Sequence, residues 1–436
     1  MAKLVDALDL GSSDSGRVGS SPIRRTTHPR HPMTRMPFFR LIPSDTMMRL
    51  QLITWALLVA GVMGALGQTL LPGVTKVRDV MIYADSAYFS AFPSALRLPD
   101  GTVYVAFRRA PNRMMMGNDR NSHVDANSHL VAVRSTDGGH TWSREPQLMF
   151  AHPFGGAQDP CLLQLANGEL LCTSYLWIQV GPQLYDQYAG RFYGDDHWTF
   201  AGGFVIRSTD GGATWQGPID PGSPIPTETR STMLGKLPLY NRGALCQGSD
   251  GTLHWAVACQ NGIKSGSSVY LVQSHDNGHT WQYRSVIAQL DTIGLNETSI
   301  YETPHGHLVA FIRSLDYPTD QGYIARSTDG GATFTLQGMG FKGHPFHAMR
   351  LPDNRVLLTY GYRHKPYGIR ARILNAECTD WSTAPEMVLR SDGGGTDLGY
   401  PWSVMLDEHH VLVTYYFNHD QLRGPRQIQG TILRID

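Results

Sequence analysis

Six short stretches of this chain sit directly before apolar strands, and five of them carry side chains capable of chemistry. These five are Gln158-Asp159, Asn241-Arg242, Asn296-Glu297, His344 with His347, and Gly399-Tyr400; the sixth, Ala91-Phe92, is apolar. The strands that return to the same end deliver Arg108 and Arg109, Tyr175, Arg313 and Arg363, and the loop after the first hairpin adds His123 and Asp125. Carboxylates set beside phenols and imidazoles can pass protons to a bound molecule. Arginines in the same place grip planar anions through forked hydrogen bonds. Polar groups gathered at the ends of apolar strands mark a pocket for a polar ligand. Plainer roles compete. Asp159 precedes Pro160 and fits a turn, His344 and His347 fit backbone partners, and no histidine spacing demands a metal. No cofactor is expected.

The elements that must position these groups are repeated hairpins. Six times an apolar strand meets a tight turn and a second apolar strand follows. The hairpins run from 93 to 108 around Asp100-Gly101, 160 to 175 around Asn167-Gly168, and 243 to 259 around Asp250-Gly251. They continue from 298 to 313 around His305-Gly306, 348 to 363 around Asp353-Asn354, and 402 to 417 around Asp407-Glu408. Asp-Gly and Asn-Gly between such strands are strong hairpin signals. A second repeat, S-x-D-x-G-x-T-W/F, spans Ser135 to Trp142, Ser208 to Trp215, Ser274 to Trp281 and Ser327 to Phe334. Its Asp can accept bonds from loop N–H groups and its Gly allows positive φ, so it reads as a structural turn whose closing aromatic packs on a sheet. Too few carboxylates are present for a calcium loop. Six units of roughly 60 residues fill residues 74–436, the plan of a six-bladed β-propeller of four-stranded antiparallel sheets. A strand near Val77 to Tyr83 is expected to complete the blade of Gln427 to Ile435 and join the two ends of the domain. In that fold the polar residues above converge on one mouth of the central axis.

The four Asp-boxes and the six-blade plan resemble the sialidase, or neuraminidase-like, superfamily over nearly all of residues 74–436. Asn296-Glu297 opening a hairpin that ends in Arg313 resembles the sialidase strand that carries the Glu and one arginine of a carboxylate-binding triad. Arg363, in Gly361-Tyr362-Arg363, falls where another triad arginine would, with Arg370 and Arg372 as rivals. Tyr400, in Asp397-Leu398-Gly399-Tyr400-Pro401, matches the catalytic tyrosine, and Asp125 lies where sialidases keep their acid/base Asp. The resemblance implies a retaining exo-sialidase in which Tyr400 is the nucleophile, Glu297 its base and Asp125 the acid/base. Arg313, Arg363, Arg242, Arg109 and Arg372 would bind an acidic sugar, with Asp159, His123 and His347. The chemistry is consistent: a phenol is a better nucleophile than a carboxylate beside an anionic anomeric centre, and with an ordinary pKa near 10 it needs a base.

One departure stands out. Sialidases open the first blade with a triad arginine before a proline, and here that stretch is Ser90-Ala91-Phe92-Pro93. Either Arg242, Arg108 or Arg109 takes its place, or the ligand is a different acidic sugar such as a uronate. Two further functions remain open: a propeller lyase or hydrolase acting on uronic acid sugars with a His/Tyr pair, and a propeller that binds carbohydrate without turnover.

Composition agrees with a propeller. The 436 residues include 46 glycines and 10% aromatics, a mixture suited to many short strands and tight turns. Formal net charge is zero, which leaves no basic excess for a nucleic-acid partner. The five cysteines include no CxxC pair and read as buried small hydrophobes. Residues 1–46 show no apolar period and read as a disordered extension, with a true start expected downstream of Met1. Residues 47–67 carry Arg49, an apolar run and Ala65-Leu66-Gly67, and read as a signal peptide for export to the periplasm or exterior. A membrane anchor is the competing reading, and no later segment is apolar enough to span. The expected partner is an acidic glycan, and the expected state is a monomer.

Overall fold

The computed structural model describes residues 71, 73–187, 198–222, 224–226, 231–232, 235–236, 243–259, 267–420 and 424–436. The N-terminal segments 1–46 and 47–67 lie outside the described residues. Strands dominate, and only two 3-10 turns, Arg113–Met116 and Pro182–Leu184, interrupt them among the described residues. None of these helices is long and apolar enough to cross a membrane.

The sheets form a six-bladed β-propeller. Blade 1 is built, from axis to rim, of Tyr88–Arg97, Val103–Pro111, His129–Ser135 and Gln147–Phe150. Blade 4 runs Leu295–Glu302, Leu308–Ser314, Gln321–Ser327, Thr335–Lys342, and blade 5 runs His344–Arg350, Val356–Tyr362, Gly368–Leu374, Glu386–Arg390. Blade 6 runs Gly399–Met405, His410–Phe417, Gln427–Ile435, and its rim strand is Val74–Tyr83 from the start of the domain. The expected closure is therefore present. It ties both ends of the propeller into one sheet, so neither end can fray without breaking a ladder of hydrogen bonds.

Blades are held by apolar faces packed against each other. Between blade 1 and blade 2, which is built of Cys161–Gln164, Leu170–Gln179, Trp198–Ser208 and Gln216–Ile219, Leu96, Tyr104, Leu130 and Ala132 meet Leu162, Leu170, Cys172, Phe204 and Ile206. The middle strands read as continuous apolar runs because both faces are covered. The Asp-boxes sit on the seams. In the first, the Asp137 carboxylate accepts from the His140 and Thr141 N–H groups and from the Ser135 and Thr141 hydroxyls. Asp210, Asp276 and Asp329 repeat the pattern. The fifth residue of each box is a glycine at positive φ, and in three of the four boxes a Cβ would also press on the preceding blade. Gly331 has φ +80, and a Cβ there would lie 2.4 Å from Leu271 of the preceding blade. The boxes therefore stitch neighbouring blades, beyond the expected packing on their own sheet. All five cysteines are free thiols; four are buried and Cys246 is half-buried.

The innermost strands carry the feature that shapes the site. In blades 1, 4, 5 and 6 the ladder slips at the mouth end, between Ala91 and Ser94, Asn296 and Thr298, His344 and Phe346, and Gly399 and Trp402. A bulge adds an unpaired residue and re-aims its side chain. Phe92 (φ 59) and Tyr400 (φ 53) occupy two of these bulges in the left-handed region, each before a proline. That conformation is costly for a residue with a Cβ and concentrates at functional sites.

Candidate active site

The bulges of blades 4 and 6 bring Glu297 and Tyr400 together. The Tyr400 hydroxyl donates to Glu297 Oε1 at 2.5 Å. Arg313 Nη1 donates to Glu297 Oε2 at 2.6 Å and to the Tyr400 oxygen at 3.1 Å. All three side chains are buried, with 2–3% of their surface exposed. Arg313 belongs to the second strand of blade 4 and pairs with Asn296, so register alone delivers it beside Glu297. Arg363 stands over the Tyr400 ring at 5.4 Å and donates to the Leu398 carbonyl and the Tyr416 hydroxyl. Blades 5 and 6 approach closely enough here to require glycine. A Cβ on Gly399 (φ +114) would sit 3.1 Å from the Gly361 Cα.

Electrostatics fix the resting protonation state. Burial would raise the Glu297 carboxyl, but the Arg313 charge and the bonds from Tyr400 and Arg313 outweigh it and hold it below the usual carboxylate range. Burial and the Glu297 anion push the Tyr400 phenol well above 10, against Arg313 and Arg363. The proton therefore rests on Tyr400, hydrogen-bonded to an ionised acceptor that can take it.

Arg108 fills the axis side of blade 1. It is wholly buried, and none of its three guanidinium nitrogens has a hydrogen-bond partner among the described residues. Its nearest charges include the carboxylates of Asp125 and Asp159. An unpartnered buried guanidinium is costly. Arg109, the next residue, points to the opposite face as strand alternation requires. It donates to His129 and to the Tyr83 hydroxyl and covers the Tyr88 ring, so the expectation that it binds ligand is corrected.

The other expected residues divide. Asp159 is buried within electrostatic reach of both Arg108 and Tyr400. His123 lies at the rim of the cluster, its Nε2 2.6 Å from Asp397 Oδ1. Asp125 is buried, but Arg113 clamps both its oxygens at 2.7 and 2.8 Å. Arg242 lies outside the described residues. His347 accepts the Ser403 N–H on Nδ1 and stacks on Trp402 at 4.4 Å, a link between inner strands further along the axis rather than part of the Tyr400 cluster. Arg372 is corrected too. It sits on the third strand of blade 5, packs on Phe341 at 4.1 Å and donates to the Tyr360 hydroxyl, one strand too far out to reach the axis. Its neighbour Arg370 is tied to the Pro366 carbonyl and stacked on Tyr362.

Several site residues had no signal of their own in the sequence. Asp397 accepts from the Tyr416 hydroxyl and Arg426 Nε, both at 2.8 Å. Its place three residues before Tyr400 was the only clue. Asp320 holds two histidines, His344 Nε2 at 3.1 Å and His364 Nε2 at 2.8 Å. Burial pushes His344 down to about 4; Asp320 acts the other way, and Arg313 and Arg363 add to the depression. Native His344 is thus neutral where an unfolded histidine, near 6.5, takes up a proton. Acid therefore favours the unfolded chain, and Asp320, itself held below its usual range, adds in the same direction. Stability is expected to fall by up to about 3 kcal/mol between pH 6.5 and pH 4 from His344. Denaturant titrations of wild type and His344→Gln at pH 7, 5 and 4 check this; equal pH slopes in both proteins contradict it.

Six blades, four seam-binding Asp-boxes and a Tyr–Glu–Arg cluster at the hub define a sialidase-like propeller. The chain belongs to the BNR repeat-like domain family, whose model matches residues 176–411. A crystal structure described as an unknown function protein from Dyadobacter fermentans DSM 18053 is 53% identical, with a TM-score of 0.80 over 84% of this chain and 100% of that one. The Hadza microbial sialidase Hz136 is 18% identical, with a TM-score of 0.58 over 79% of this chain and 65% of that one. A mutant of the NanB sialidase from Streptococcus pneumoniae is 14% identical, with a TM-score of 0.56 over 83% of this chain and 70% of that one. At these identities the two sialidases share the fold. No curated protein matches the chain.

Proposed function

We propose that this protein is a glycoside hydrolase that releases a terminal acidic sugar with retention of configuration, using Tyr400 as nucleophile and Glu297 as its base. The observation that carries the reading is the 2.5 Å hydrogen bond from a buried Tyr400 to an ionised Glu297, with Arg313 touching both. A purely structural tyrosine gains nothing from a strained φ and an acceptor held ready for its proton. In the first step the Tyr400 oxygen bonds to the anomeric carbon, the bond to the leaving oxygen breaks, and Glu297 takes the phenolic proton. Arg313 and Arg363 stabilise the negative charge that grows on the phenolic oxygen. In the second step a water oxygen bonds to the anomeric carbon as the bond to Tyr400 breaks, Glu297 returns its proton to the phenolic oxygen, and the proton that water sheds balances the one taken up by the leaving oxygen.

Arg108 supports an acidic substrate. It supplies, from the second strand of blade 1, a buried cation on the axis side of a blade whose inner strand has Phe92 and no arginine. A carboxylate placed against it gains forked hydrogen bonds that no group among the described residues makes. The signal-like segment at 47–67 suits an enzyme that meets its glycan outside the cytoplasm.

The test is covalent. Purified protein is incubated with fluorogenic sialosides and glucuronides, and then with a fluorinated analogue of whichever is cleaved. Release of fluorophore and a sugar-mass adduct on the peptide carrying Tyr400 are expected. A protein that binds these glycans but turns none over is a lectin-like propeller instead, and an unsaturated product from a uronate polymer identifies a lyase.

A further inference from the structure

We propose that His123, aligned by Asp397, donates and recovers the proton at the glycosidic oxygen, in place of Asp125. This inference rests on the glycosidase reading above and names a group that the reading lacks.

A general acid must hold a proton at the working pH and show it to the substrate. Asp125 does neither. Arg113 occupies both of its oxygens, and the Asn127 N–H adds a third bond at 2.8 Å. Burial works to raise this carboxyl, but the Arg113 and Asn127 bonds prevail and keep it below the usual range. Asp125 is therefore a fixed anion, locked to the turn that starts at Asn112.

His123 is arranged differently. Its Nε2 faces Asp397 Oδ1 at 2.6 Å, while Arg426 and Tyr416 bind the same carboxylate and fix its direction. Asp397 stays ionised; burial opposes this, but His123, Arg426 and Arg363 outweigh it. An anion in that position makes Nε2 the donor and leaves Nδ1 for the ligand, which is the division of labour that a carboxylate imposes on a catalytic histidine. Nδ1 has no protein partner among the described residues, and the side chain keeps 26% of its surface exposed at the rim of an otherwise buried cluster. The ring is gripped by Phe92 edge-on at 5.3 Å and by Phe89 at 6.1 Å. Phe92 in turn lies 4.7 Å from Tyr400. The histidine and the tyrosine thus flank one aromatic ring. The charged and titratable groups around His123 are Asp397, Arg426 and Tyr416, with Arg363 bonded to Tyr416 and Arg108 over Phe89 and Phe92.

The proton balance closes. As the Tyr400 oxygen bonds to the anomeric carbon, the Nδ1 proton of the imidazolium passes to the departing oxygen, which leaves as an alcohol. The neutral imidazole then takes a proton from water. That water's oxygen bonds to the anomeric carbon as the bond to Tyr400 breaks.

Leaving-group dependence tests this, with wild type, His123→Gln, Asp397→Asn, Asp125→Asn and Tyr400→Phe. Two glycosides of the sugar that wild type cleaves are compared, one with a nitrophenyl leaving group and one with a simple alkyl alcohol. His123→Gln is expected to lose about 10²–10⁴-fold on the alkyl glycoside but under about tenfold on the nitrophenyl one, with azide restoring turnover. Asp397→Asn should reproduce the leaving-group signature of His123→Gln in weaker form, a pattern that loosened packing alone does not produce. Asp125→Asn should weaken both glycosides alike. Equal losses on both glycosides for His123→Gln, or the leaving-group signature in Asp125→Asn, overturn the assignment while the glycosidase reading stands. A wild type inert on every acidic glycoside defeats the glycosidase reading itself, an active Tyr400→Phe defeats its tyrosine nucleophile, and the assignment falls with either.

Discussion

Tyr400→Phe is expected to lower kcat at least about 10³-fold, equivalent to about 4 kcal/mol of barrier, while the protein stays folded. The substitution keeps the ring that Phe92 and Tyr416 pack against, at 4.7 and 5.6 Å. Only the hydroxyl is removed, and with it the nucleophile. One further change follows from the same atom. Glu297 loses the 2.5 Å donor on Oε1 but keeps Arg313 on Oε2, so the carboxylate remains paired. The Arg313 donor to the phenolic oxygen is lost as well, so the stability cost is that of two hydrogen bonds to buried charges, each about 1–3 kcal/mol. The measurement is steady-state turnover of the cleaved sugar glycoside beside a denaturant titration. A variant that retains a tenth of wild-type kcat removes Tyr400 from the reaction and leaves it as packing.

Arg313→Met is expected to be the most destabilising single change in the cluster, at about 3–5 kcal/mol. Arg313 and Glu297 expose 2% and 3% of their side chains, so the pair has surrendered nearly all its water. Deleting the cation strands a buried anion, and Glu297 responds by holding a proton to higher pH. Activity should fall as well, because a protonated Glu297 cannot accept from Tyr400. The acid limb of the pH profile should therefore move upward in the variant, while in wild type the depressed Glu297 keeps activity down to acidic pH. A double-mutant cycle separates these contributions. Adding Glu297→Gln to Arg313→Met should recover part of the lost stability, since the stranded charge is gone. Strict additivity would show that the two side chains are not coupled, against the 2.6 Å contact between them.

Much of this molecule was legible in the chain. Asp-Gly and Asn-Gly turns between apolar runs, spaced through residues 74–436, are local signals, and each hairpin they forecast is a blade's inner pair. The Asp-boxes likewise encode their own hydrogen bonds, because every partner of Asp137 lies within four residues. Glu297, Arg313, Arg363 and Tyr400 were legible as a group because each sits at the mouth end of an inner or second strand, and a propeller carries all such positions to one hub.

The residues whose surroundings no local pattern announces are those set by one strand step or by a neighbouring blade. Arg108 and Arg109 are adjacent and strand alternation sends them to opposite faces, so one residue step decides which partners each side chain meets. Arg372 resembles Arg363 in type, yet lies one strand further from the axis. Asp125 was read by its place in a loop, and its clamp by Arg113 depends on how that loop folds back on itself. Asp397 and His123 are 274 positions apart and meet only because the first and last blades adjoin. Local backbone preference and apolar periodicity are properties of short stretches, so the sequence by itself determined the blades, their number and their turns. Protonation, burial and pairing depend on charges brought from distant stretches into a dry centre, where each interaction is strong because water is absent. Those features, and with them the chemistry, were decided only when the sheets closed around the axis.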